Sequence, residues 1–318
     1  MATTSRETAG MRCDLHVHSA RSGPVDVQPF TRVADESYVE PGAVHQEALR
    51  RGMDLFTLTD HDTIEGALEL AHRPEVFVSE EVSCALPDGR ELHVGVFDID
   101  EAQHEGIARR RRDAEALFAY LAEERIPACV NHPFSALTGR RETADLLHAL
   151  RNLPLVEARN GMMSEAVNQR AVRAARWARL PMVGGSDAHT LASVARAFTV
   201  VPGAGDKREF LAGLRRGCTL PAGRSGSYAR LTADVARIAA GAYRTAAVEA
   251  AAAPLRLAAM AAAAPLLPLL PLVTACVFAH EQLFARRHER LLREATERQD
   301  PRTARGPFGP AAAPTLAR

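Results

Sequence analysis

From about Met11 to Val201, short apolar runs alternate with longer amphipathic stretches, and this alternation constrains the fold more than any other feature. The apolar runs are 12–17, 54–59, 76–79, 92–97, 128–131, 155–158, 181–184 and 198–201. The stretches between them read as helices over 41–51, 64–71, 101–124, 143–151, 165–178 and 207–216, with Pro41 suited to a first helical turn and Gly52 to the residue past a helix end. Strands alternating with helices imply parallel βα units, and seven or eight units imply a barrel or a barrel relative. The segment 23–40 is long for a βα loop and reads as an insertion over the top of the barrel, where active-site lids sit.

The 318 residues suffice for one large domain and an appendage. The expected division is a barrel over 11–225, a helical extension over 226–299 and a disordered Pro/Gly/Ala-rich tail over 300–318. Lys+Arg and Asp+Glu both number 39, which removes the basic footprint of a general nucleic-acid binder, so no long nucleic acid is expected. Five scattered cysteines and an N-terminus without an apolar core suggest a reducing, cytoplasmic setting.

In the extension, Leu257 to Ala279 carries no charge over 23 positions and is a candidate for membrane association. Pro265, Pro268 and Pro271 interrupt it. Arg286, Arg287, Arg290 and Arg293 follow it, which suits a buried or interfacial helix, or a re-entrant hairpin, better than a single span.

Histidines and carboxylates concentrate at the ends of the expected strands. His16 and His18 are one residue apart, so period-two geometry aims both at one face. His61 lies in Thr59-Asp60-His61-Asp62-Thr63, where Asp62 or Thr63 could cap the next helix. Glu80 and Glu81 follow a buried run, and His132 follows Asn131 and precedes Pro133. Asp187 and His189 follow Gly184-Gly185, glycines expected to let the backbone turn sharply. His93 lies within an apolar run and by itself reads as a core histidine. The other six of the twelve histidines fall on or near expected helices and read as solvated. His nitrogen with Asp/Glu oxygen suits Zn, Mn or Fe, and eight donors exceed one tetrahedral ion, so two or three divalent ions are implied. A metal-bound water ionises near about pH 7, which supplies a hydroxide without a covalent intermediate. The sequence has no GxSxG, GxGxxG or GxxxxGK[ST] motif.

These motifs, in this order, resemble those of the polymerase and histidinol phosphatase (PHP) superfamily. The resemblance rests on Asp14-Leu15-His16-Val17-His18-Ser19, Leu58-Thr59-Asp60-His61-Asp62-Thr63, Glu80-Glu81-Val82-Ser83, His93, Asn131-His132-Pro133 and Gly185-Ser186-Asp187-Ala188-His189, and covers about residues 11 to 202. It implies a distorted (β/α)7 barrel with a trinuclear centre. His16, His18, Glu81 and Asp187 would ligate one metal, Glu81 would bridge to a second held by His93 and His132, and His61 and His189 would ligate the third. The family often has an Asp or His shortly after the HxH pair. Here Ser22-Gly23-Pro24 occupies that stretch, and Asp26 is the nearest substitute. Arg159, in Glu157-Ala158-Arg159-Asn160-Gly161, is a candidate to hold a substrate phosphate or to form a plain salt bridge.

The resulting expectation is a metal-dependent phosphoesterase that hydrolyses a small phosphomonoester by a metal-bridging hydroxide. Asp187 or His189 would handle a proton, and Arg159 would bind phosphoryl oxygens. The alternatives are a nucleotide phosphatase or exonuclease on short nucleic acid, a non-catalytic metal-stabilised scaffold, and a membrane-docked enzyme acting on a lipid or envelope phosphate.

Overall fold

A computed structural model of the chain describes residues 10–23, 34–86, 90–137, 142–249 and 254–297. Asp26 and the tail over 300–318 lie outside the described residues. Eight strands form two sheets. β2 (Ser79–Ala85), β3 (Glu91–Phe97), β4 (Ala128–Val130), β5 (Leu155–Asn160) and β6 (Met182–Gly185) make a five-stranded sheet in that order. β1 (Gly10–Cys13), β7 (Ala197–Pro202) and β8 (Leu220–Gly223) make a second sheet, in the order β1-β7-β8.

The all-parallel expectation fails in part. Only β4–β5 and β5–β6 pair parallel, whereas β2–β3, β3–β4, β1–β7 and β7–β8 are antiparallel. β2 and β3 are joined by too few residues for a helical crossover, so they can only fold back as a hairpin. No closed ladder surrounds the described strands. The two sheets communicate on one side through single parallel bridges, Cys13 with Leu55, Phe56 with Val76 and His61 with Glu81. On the other side the Thr199 hydroxyl of β7 bonds both the N–H and the carbonyl of Gly184 in β6, each at 2.8 Å. The ring thus lacks the continuous hydrogen-bonding of a (β/α)7 barrel.

Of the four buried hydrophobic clusters among the described residues, two line the faces of the five-stranded sheet. Cys13, Leu15, Leu55, Phe97, Cys129 and Val183 pack in an inner cluster drawn from both sheets. The opposite faces of the same strands, through Val94, Val96, Val130 and Val156, pack on helices. Alternation along each strand produces both faces.

The helices follow local signals closely. α1 (Pro41–Arg50) starts on Pro41. α2 (Glu65–Leu68) is one short turn whose N-cap position is Ile64, and the Thr63 hydroxyl just before it accepts the Glu65 N–H at 3.2 Å. The single helix expected over 101–124 is two, α3 (Glu101–Ala108) and α4 (Ala114–Glu123), because the Asp113 carboxylate accepts from the Glu115 and Ala116 N–H groups and starts a new one. α5 (Thr143–Asn152), α6 (Glu165–Ala178) and α7 (Lys207–Arg215) complete this part.

The extension is α8 (Tyr228–Val248), α9 (Pro254–Ala263), a 3-10 turn (Ala264–Leu269) and α10 (Leu270–Glu297). The stretch Arg256–Glu294 is long and apolar enough to cross a membrane by length and composition, and only 6% of its most apolar window is buried. It is nevertheless docked on the rest of the chain. Thr232 and Thr274 share a hydrogen bond of 2.7 Å, Glu281 accepts the Ala136 N–H at 2.7 Å, and Glu289 pairs with Arg170 at 3.0 Å. Buried Thr274, Glu281, Ala285, His288 and Leu292 define its inner face, at heptad-like spacing.

Candidate metal centre

All eight expected ligands converge. His16 and His18 lie just past β1, and the bridge of Val17 to Ala188 sets them beside the loop carrying Asp187 and His189. Glu81 and Glu80 are successive residues of β2, so they face opposite ways. Both are buried: Glu81 faces the cluster, while Glu80 pairs with His104 at 3.0 Å. His93 comes from β3, and His61 from the bridge to Glu81. His132 follows β4, and Asp187 and His189 follow β6.

His16 Nε2 and His18 Nε2 lie 3.1 Å apart. Glu81 Oε2 is 3.1 Å from the first and 3.4 Å from the second, and Asp187 Oδ1 is 3.5 and 3.6 Å away. A tetrahedron of bonds of about 2.1 Å has edges of about 3.4 Å, so His16, His18 and Glu81 have the spacing of ligands around one ion, and Asp187 groups with His16 and His132 in an adjoining set. The other Glu81 oxygen, Oε1, lies 3.3 Å from His93 Nδ1 and 3.2 Å from His132 Nε2. One carboxylate therefore faces two imidazole pairs, as a bridge does. Two imidazole nitrogens in direct contact cannot both be satisfied by donating to each other, and His93 Nδ1, which faces Glu81 Oε1, is buried without a hydrogen-bond partner. The donor set fits a cation better than it fits itself.

A third grouping holds a residue that sequence reasoning missed. Glu36 Oε2 is 3.3 Å from His61 Nε2 and 3.8 Å from His189 Nε2, and Glu36, His18 and His189 form a set of potential ligands. Asp26 lies outside the described residues, whereas Glu36 offers a carboxylate to the third grouping. Its segment has no periodicity, and the only hint was the expectation that 23–40 lies over the site.

Charge is unevenly shared. Burial opposes protonation of His93, but Glu81 and Glu91 override it and raise its pKa to about 10. Burial also opposes protonation of His189, and Glu36 followed by Asp187 raises it to about 9. Burial and the neighbouring His189 hold His18 down at about 3. Glu36 is lowered to about 2 because His61, His189 and His18 outweigh its burial.

A second layer orients the donors. Glu157 Oε1 is 2.9 Å from His16 Nδ1, and its Oε2 accepts the His132 N–H at 2.7 Å. Asn131 donates to Glu81 at 2.7 Å, and Asn160 donates to Asp187 at 3.0 Å. Asp14 accepts from the N–H groups of Ser186 and Ala195, each at 2.8 Å. His132 and Asp187 hold positive φ, +25° and +52°, a strain characteristic of functional sites. Gly184 and Gly185 do not turn the chain as expected. A Cβ on Gly185 would sit 2.2 Å from that of His16, so glycine is required for close approach.

Arg159 stands outside this cluster, bonded to Glu165 at 3.2 Å and to Ser225 at 3.1 Å. Two of the histidines expected at the surface are buried: His45, which is paired to Glu75 at 2.8 Å, and His288, on the inner face of α10. A cavity of about 100 Å³ adjoins the centre. Asp187 and His189 line one side, and Leu231 of α8 with Val277 and Phe278 of α10 line another.

The architecture and site define a mixed α/β chain with a buried cluster of histidines and carboxylates whose donors could hold divalent metal ions. A family model described as PHP-associated matches residues 165–219, the span holding Asp187 and His189. No curated protein matches the sequence. Among solved structures, PsfC from Pseudomonas syringae is similar at 18% identity and TM-score 0.47, over 67% of this chain and 91% of that one. A Bifidobacterium adolescentis protein described as a metal-dependent phosphoesterase shares 12% identity at TM-score 0.38, over 66% and 98%. An amidohydrolase from Chromobacterium violaceum shares 16% at TM-score 0.43, over 65% and 97%.

Proposed function

We propose that the chain is a metal-dependent phosphoesterase that hydrolyses a small phosphomonoester. The observation that carries this reading is the convergence of His16, His18, Glu81 and Asp187 at 3.1–3.6 Å, beside a cavity that Asp187 and His189 also line. His16, His18, Glu81, Asp187, His93 and His132 would hold two divalent ions, and His61, His189 and Glu36 a third. Such ions, Mn, Zn or Fe, would lower the pKa of a coordinated water and neutralise phosphoryl charge.

The protein's own groups do the rest. Glu157 and Asn131 orient the donors, and the burial of the cluster excludes bulk water. His189 Nδ1 lies 3.0 Å from the Asp187 carbonyl, so as an N–H donor it presents Nε2 as the atom that would ligate the third ion. Leu137, Met163, Val167, Leu231, Val277 and Phe278 make most of the cavity wall apolar, which suits a small ester with an apolar leaving group. Arg159 would enter only by exchanging Glu165 for a phosphate oxygen, which its five donors permit.

The test uses the full chain, stripped of metal and resupplied with Mn, Zn or Fe, on a generic aryl phosphate. Turnover that requires metal and vanishes in Asp187→Ala is the expected result. Two or three bound ions with turnover of phosphodiesters only would replace this reading with the nuclease alternative. No bound metal would overturn it.

A further inference from the structure

The outer face of the α9–α10 rod is apolar, exposed and continuous. Leu266, Leu269, Leu272, Val273 and Leu283 are each 50–64% exposed, at spacings that stack them on one side of a helix. They form a stripe about 25 Å long. Monomeric soluble proteins rarely leave such a patch uncovered. The same face then changes character. Arg286, Arg287 and Arg290 are all exposed one to two turns beyond Leu283, and among the described residues Glu294 lies 3.9 Å from Arg290. Glu281 and Glu289 do not counter this charge on the outer face, since Glu281 is buried and Glu289 is paired with Arg170 and Arg173.

We propose that this face docks side-on to the surface of an anionic lipid bilayer. The leucines enter the boundary between headgroups and acyl chains, and the arginines reach lipid phosphates. Charge complementarity selects this occupant over an apolar protein partner, which would leave the arginines unmatched. The rod lies along the membrane and does not cross it, because its opposite face is held from Pro271 to Glu289. The Tyr228 hydroxyl donates to the Pro271 carbonyl at 2.9 Å, Gln282 donates to Ser164 at 2.6 Å, and Glu289 is paired with Arg170. A span would strip buried Thr274, Glu281 and His288 of this protein surface. The inference does not depend on the hydrolase reading, and its test needs no activity.

The full chain is sedimented with vesicles of phosphatidylglycerol and phosphatidylcholine, and with vesicles of phosphatidylcholine alone. Binding to the anionic vesicles that weakens with salt and is released by alkaline carbonate is expected. Leu269→Glu with Leu272→Glu should weaken it at least about tenfold, since it removes buried apolar area and adds charge. Arg286→Gln with Arg287→Gln should abolish the preference for anionic vesicles. Both pairs replace exposed residues, and circular dichroism with unchanged thermal unfolding checks their fold. Retention after carbonate would overturn side-on docking in favour of a span. No vesicle binding by the folded chain would also overturn the proposal. A dimer lost in the leucine pair would then identify a second copy as the occupant.

Discussion

Glu157 Oε1 lies 2.9 Å from His16 Nδ1 in a fully buried contact, while His16 Nε2 points into the cluster. The carboxylate fixes which imidazole nitrogen carries the proton and so presents the other as a ligand. Glu157→Gln should lower metal affinity by about 10–100-fold with the fold intact, because outer partners of ligating histidines have effects of this size. A chelator competition titration, with circular dichroism as control, measures it. Unchanged affinity would show that His16 is oriented by other contacts.

Glu36 contacts His61 and His189 from the insertion, and among the described residues no ion pair joins it to His16, His93 or His132. Glu36→Ala should therefore lower the number of bound ions by one and leave the ions at His16, His18, His93 and His132 in place. Native mass spectrometry of the metal-loaded protein reads the stoichiometry. Loss of every ion would mean that the three groupings form one indivisible site.

The metal-free chain should lose stability as pH rises. A histidine whose pKa is raised on folding stabilises the fold fully below its unfolded value of 6.5, and that contribution disappears as pH climbs through the folded value. His93 at about 10 and His189 at about 9 place the loss between about pH 6.5 and 10. Glu36, lowered from 4.5 to about 2, acts oppositely, so its contribution is lost only in acid. Metal ions replace these protons, and the loaded protein should lack the alkaline loss. Thermal unfolding at pH 6.5 and pH 10, with and without metal, distinguishes the two forms. Equal alkaline losses in both would separate these histidines from the metal site.

Asp234 of α8 is buried and accepts from the Thr190 hydroxyl at 2.7 Å and the Ser193 hydroxyl at 2.5 Å. Asp234→Ala should cost about 2 to 4 kcal/mol, since it leaves two hydroxyls without their charged partner. Denaturant titration gives the figure. Because Thr190 adjoins His189, metal affinity should fall as well. A loss under about 0.5 kcal/mol would show that water replaces the carboxylate fully.

Most of the candidate ligands were legible because they mark the ends of apolar runs in a periodic pattern, whereas His93, inside β3, was legible only through its place in the motif order. His16 and His18 differ by two positions, and Asp187 and His189 repeat that spacing after β6. Helices with clear caps were equally readable, as α6 and its Ser164 cap show. What stayed hidden depends on distant partners. The β2–β3 hairpin reverses strand direction without any change in apolar pattern. His45 looks like a surface residue until Glu75 satisfies it. Glu36 has no local signal, because its role arises only when the insertion meets His61. The cavity wall was unreadable for the same reason, since Val277 and Phe278 belong to a helix whose composition suggests only burial or lipid.

Asp14 joins the start of the ring to its end, accepting the Ala195 N–H across 181 positions of chain. Synthesis at about 5–20 residues per second separates those two residues by roughly 10–40 s. During that interval His16 and His18 are already made, while Asp187 and His189 are still to come. The nascent chain therefore carries a pair of imidazoles with no enclosing site, and the metal a cell offers at that stage is held only loosely. Selection among ions would then fall to the moment of closure, when Asp14 captures Ser186 and Ala195 and the eight candidate donors first share one space.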